Sequence, residues 1–109
     1  MTTFDDREKA QEKKFALDQE QLFKAHARRD KLFGLWAAGQ MGLAGAAAEA
    51  YAKGVVSEDI AHPGDKAVAK KVAGDLAAKG VKLTVSELEA KLEDLFATAK
   101  RQIAAEAAR

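Results

Sequence analysis

The sequence predicts an all-α protein, a small four-helix bundle whose long first helix carries a mobile N-terminal arm. Three observations predict it. Ala is abundant, Pro occurs once, and β-branched residues never run in alternation. Val85, Leu88, Leu92, Leu95, Phe96, Ala99 and Ile103 recur at helical spacing. Gly and capping pairs punctuate the chain where such stripes end.

The first helix is expected over 4–40. At about 100° per residue, Phe4, Phe15, Leu22, His26 and Phe33 share one narrow wedge. Between Phe4 and Phe15 lie eight charges, four of each sign, among them Asp5, Asp6, Arg7 and Lys9. Such a segment is helix-prone but holds too little apolar surface to offset its own ordering entropy. Thr3 with Asp6 three residues on suits a helix N-terminus. Residues 1–20 are therefore expected to form a partner-binding arm, marginal as a free helix, and 21–109 the body.

From Leu32 to Ala48 the chain has no charge. A membrane span is conceivable for such a run, yet Gly34, Gly39, Gly42 and Gly45 interrupt it. It reads better as a buried helix end, a turn and the start of a second helix. That second helix is expected over 44–56, with Leu43, Ala47, Ala50, Tyr51 and Val55 facing inward. Residues 57–65 form a connection, turning at His62-Pro63-Gly64-Asp65. A third helix over 65–79 sets Val68, Val72 and Leu76 four apart, and Gly80 follows as its stop. Thr84 with Glu87 makes a capping box, Ser86 with Glu89 a rival one, for a fourth helix over 85–108. The expected core is Leu32, Leu35, Trp36, Tyr51, Val72, Leu76, Leu88, Leu92, Leu95, Phe96 and Ile103.

Composition narrows the function. The 18 basic and 17 acidic residues are well mixed and leave a net charge of +1, which argues against a strong phosphate-binding protein. There is no Cys and no close His pair, so neither a disulfide framework nor a transition-metal site is expected. Asp5 and Asp6 with no apolar segment beside them are unlike a secretory signal. The hydroxyls lack a nucleophile context, and the spaced glycines match no phosphate loop, so no enzyme is expected. His26 reads as a partly buried helix residue, with a pH-sensing role at a partner surface as the alternative. Lys24, Arg28 and Lys31 share a helix face. That face is either a solvated back or a dock for an acidic or phosphate-bearing partner, a protein before a nucleic acid.

Thr3-Phe4-Asp5-Asp6-Arg7-Glu8-Lys9-Ala10, Phe15-Ala16, Phe23-Lys24-Ala25, Ala27-Arg28-Arg29 and Gly34-Leu35-Trp36-Ala37-Ala38 together resemble the zeta-subunit inhibitors of alpha-proteobacterial F-type ATP synthases. Ala50-Tyr51-Ala52, Pro63-Gly64-Asp65 and Ala78-Lys79-Gly80 extend the resemblance over nearly the whole chain. It implies a four-helix bundle whose N-terminal arm enters a catalytic interface of the ATPase head, beside the rotor, and stops ATP hydrolysis. It also implies a cytoplasmic protein, monomeric when free and reaching the membrane-bound synthase through protein contacts. Weak ATP or ADP binding is implied too, with no residues assigned to it and no other cofactor. Gln11 stands where the family often has a ring, and His26 where an acidic residue is common. The partner-binding residues expected on both grounds are Phe4, Asp5, Asp6, Arg7, Lys9, Phe15, Leu22, Lys24 and Arg28. Composition alone leaves two competing readings, a helical adaptor for another protein and a nucleotide-binding bundle without inhibitory activity.

Overall fold

The computed structural model describes residues 17–108, which form four helices. These are α1 (Gln19–Gln40), α2 (Gly45–Ala61), α3 (Asp65–Ala78) and α4 (Val85–Ala107). Helix α1 packs mainly on α2 and α4, and α3 completes the bundle against α4 and α2.

Each boundary has a local cause. Asp18 is extended (φ −73°, ψ 177°) and caps α1. Its Oδ1 accepts from the Gln21 N–H at 2.8 Å, while Gln21 Oε1 accepts from the Asp18 N–H at 3.1 Å. The helix of the bundle therefore starts at Gln19, and the expected start near Phe4 with its Thr3 cap lies outside the described residues. At the other end Gly42 takes φ 78°, and Leu43 N–H closes onto Ala38 O at 2.8 Å. Gly80 ends α3 in the same way, with φ 79° and Val81 N–H on Leu76 O at 2.9 Å. Thr84, rather than Ser86, caps α4, pairing with Glu87. The uncharged run becomes the end of α1, a turn and the start of α2, and no described helix is long and apolar enough to cross a membrane.

Helix α2 departs from expectation in two ways. It continues to Ala61 rather than stopping at Val56. Ser57-Glu58-Asp59-Ile60 contains no helix breaker, and the break comes only at His62, which Pro63 forces out of the helical region (φ −131°, ψ 78°). Its inward face is also turned by one residue. Ala48, Ala52 and Val55 are buried, whereas Ala47 and Ala50 are exposed and Tyr51 is half-buried. The reason sits across the interface. A Cβ at Gly34 would come within 2.6 Å of the Ala52 Cα, so α1 and α2 touch backbone to backbone there.

The main core joins Phe33, Ala37, Val55, Val68, Ala69, Val72, Leu76, Leu88 and Leu92. A smaller one, Ala25, Ala99 and Ile103 with Leu17, Leu32 and Phe96 against it, lies between α1 and α4 near the start of α1. Of the expected core, Val72, Leu76, Leu88, Leu92 and Ile103 are buried. Leu32, Leu35, Trp36, Tyr51, Leu95 and Phe96 are only partly covered, and small Ala side chains hold much of the interior instead.

The Gly34 contact gives a direct test. Gly34→Ala must push two helix backbones apart and is expected to cost about 1–3 kcal/mol. Gly74→Ala, in α3 with nothing within 4 Å of the added Cβ, should gain about 0.5–1 kcal/mol. One urea titration of both variants reads the two signs.

Candidate partner-binding site

Three large apolar side chains stay exposed among the described residues: Leu22 (37%), Phe23 (69%) and Ile60 (70%). Leu22 and Phe23 lie on the first turn of α1, and Ile60 lies on the last turn of α2. All three are therefore at the end of the bundle where α1 starts and α2 stops. Phe23 and Ile60 flank a groove of about 300 Å³, whose walls include Ala27, Val56 and Pro63. A second groove of about 550 Å³ runs from Phe23 past Lys24, Arg28 and Lys31 to Ile103.

The three basic residues of this face are not equivalent. Lys24 is exposed, with Glu20 3.7 Å away one turn earlier. Arg28 instead reaches across to α4. Its Nη1 and Nη2 donate to both Glu106 carboxylate oxygens at 2.8 and 2.9 Å, and Nη1 also donates to Gln102 Oε1 at 2.7 Å. This fork–fork geometry ties the start of α1 to the end of α4. The face is thus a seam between helices as well as a charged surface. Lys24 and Arg28 line one groove together and Leu22 is exposed on another side of α1, while Phe4, Asp5, Asp6, Arg7, Lys9 and Phe15 lie outside the described residues.

Beneath the surface is a buried ion cluster that sequence reasoning missed. Arg29 and Asp30 are 2% and 3% exposed. Arg29 donates from Nε and Nη2 to Asp30 Oδ1 at 3.1 and 2.9 Å, and from Nη1 to Asp65 Oδ1 at 2.8 Å. It also reaches Asp59 Oδ2 at 3.4 Å, and Asp59 Oδ1 accepts from the Gly64 N–H. One guanidinium thus joins α1, the end of α2 and the start of α3. Burial pushes the Asp30 carboxyl up to about 7; its hydrogen bond with Asp59 adds to this and Arg29 opposes it. Spacing carries a signal for Arg29 alone, since Ala25, Arg29, Phe33 and Ala37 fall at four-residue intervals, all buried; it carries none for Asp30 or for the partners on α2 and α3.

His26 stacks on Phe96 with centroids 4.4 Å apart, and Arg29 and Lys100 lie over the same ring. Partial burial and the charge of Arg29 hold the His26 imidazole below its usual pKa. It is an exposed residue of the helix with one face covered. On the far side of the bundle Tyr51 Oη and Lys71 Nζ both donate to Asp75 Oδ2 at 2.8 Å, joining α2 to α3.

The surface that emerges sets apolar Phe23, Val56, Ile60 and Pro63 beside His26, Asp30 and Asp59, is basic along its Lys24–Lys31 edge, and is held rigid from below by ion pairs. It suits protein contact better than chemistry on a small molecule. Comparison with known proteins gives one family: the model described as ATPase inhibitor subunit zeta matches residues 1–102. No curated protein matches the chain.

Proposed function

The chain belongs to the ATPase inhibitor subunit zeta family, and from that premise we propose that it inserts its N-terminal arm, residues 1–20, into a catalytic interface of the F-type ATPase head. The arm so placed stops ATP hydrolysis, and the body, 21–109, stays outside as its anchor. The observation that carries this reading is the extent of the family match, which includes the N-terminal segment with Phe4 and Phe15 as well as the bundle. Two rings on one helical face are suited to a helix laid in a groove. The evenly mixed charges around them, Asp5, Asp6, Arg7 and Lys9 included, set orientation and on-rate more than affinity. The protein acts as a regulatory subunit without catalysis of its own, on the cytoplasmic face of the membrane, and reaches the synthase through protein contacts. Weak binding of ATP or ADP to the body is part of the same reading.

ATP hydrolysis by the purified cognate head, measured with increasing amounts of this protein, tests the proposal. Hydrolysis should fall to a low plateau near one equivalent per head. Unchanged turnover at a large excess would refute it. A chain beginning at Leu17 keeps the Asp18 cap. It should melt as the full chain does and leave hydrolysis untouched.

A further inference from the structure

We infer that the Phe23–Ile60 surface is a second contact for the same partner, on the body rather than the arm, seating an apolar side chain of the ATPase head flanked by carboxylates. This rests on the reading above, since it takes the ATPase head as the occupant. Four observations support it. The three exposed large apolar residues are not scattered but gather at one end of the bundle. Leu17, the first described residue, lies at that end beside the start of α1, so a partner that holds the preceding segment is brought near it. Phe23 and Ile60 stand on two helices that Arg29 and Asp59 lock together, so their spacing is fixed before binding. Asp30 and Asp59 wall the Phe23–Ile60 groove itself, whereas Lys24 and Lys31 are exposed along the adjoining groove, which favours carboxylates on the side of the occupant that faces those two lysines.

Size decides against a second copy of this chain. A stable self-association buries on the order of 1,000 Å² or more in total. Three partly exposed side chains offer far less than that. As an extension of an arm that is itself inserted, the same patch is sufficient. It adds a rigid anchor and lengthens the residence time of the complex.

The test uses full-length protein and immobilised ATPase head. Phe23→Ser with Ile60→Ser should speed dissociation about ten- to a hundred-fold. The melting temperature should stay the same, because both side chains are largely exposed. Lys31→Glu should weaken binding more than Lys31→Gln, as the basic edge requires, and this pair holds the test even if the double variant proves unstable. Binding of both variants within twofold of wild type, with wild type inhibiting normally, would overturn the second contact and leave the arm mechanism standing. Failure of the wild-type protein itself to bind or inhibit would instead strike the functional reading, and this inference with it. Sedimentation as a dimer that the double variant abolishes would show the patch to be a self-interface and would also overturn the inference.

Discussion

Arg29→Ala is expected to lower the unfolding free energy by about 3–5 kcal/mol, as removal of one partner from a buried ion cluster does. Against a total of about 5–15 kcal/mol for a domain, that is a large fraction. The physical reason is what remains. Asp30 would keep a carboxyl 3% exposed and Asp59 one largely covered, with no cation between them. Arg29→Lys should recover part of the loss. An ammonium is a point charge and cannot reproduce the fork that serves Asp30 and Asp65 together. The cost of Arg29→Ala should be smaller at pH 5 than at pH 8, because protonation of Asp30 removes its repulsion with Asp59. Urea titrations at both values read this.

The same cluster gives stability an unusual dependence on pH. The folded-state pKa of Asp30 is raised above its unfolded value of 3.8 to about 7, so the native chain holds a proton that the unfolded chain releases. Its contribution is fully present below about pH 4 and is lost as pH rises through about 7. His26 has the opposite sign. Its folded pKa is lowered from 6.5, so its contribution is present above that value and is lost as pH falls below it. The charged groups facing Asp30 are Arg29 from α1 and Asp59 from α2, with Asp65 of α3 bound to the same guanidinium. Asp30→Asn imitates the protonated acid: its amide can donate to Asp59 while its oxygen accepts from Arg29. That variant should flatten the slope between pH 5 and 8 and match or exceed wild type at pH 8. An unchanged slope would place the titration elsewhere.

Much of this was legible in the sequence where periodicity and capping agree. Thr84 with Glu87, and Gly80 after the Val68, Val72, Leu76 stripe, gave α3 and α4 almost to the residue. Three features were not fully legible, each for a physical reason. Arg29 and Asp30 are the residue types least often buried, and only their partners at Asp59 and Asp65, brought close by the turn at Pro63 and Gly64, make burial tolerable. The inward face of α2 is set by Gly34 on another helix, which a pattern read within α2 does not contain. Phe23 and Ile60 could not be told from core residues by type, since hydrophobicity does not say which apolar side chains find no neighbour.

Phe15→Ala should weaken inhibition of ATP hydrolysis about ten- to a hundred-fold. Phe4 and Phe15 are eleven residues apart, about three helical turns, so both rings lie on one side of an inserted helix. Burying one ring contributes roughly 1.5–3 kcal/mol, and that is the whole of the expected change in affinity. Phe4→Ala should cost less, because terminal helical turns fray. Neither change should move the melting temperature by more than about a degree or two, since the capping box at Asp18 starts α1 after both rings. Gln11 lies between them, about 40° from the line that joins them. Gln11→Phe should therefore strengthen inhibition if the receiving groove is continuous. Titrating hydrolysis with each variant, alongside thermal melts, separates the two effects. Potency that survived the loss of both rings would have to come from the body, through surfaces such as Phe23 and Ile60, and insertion of the arm would no longer explain how this family member inhibits.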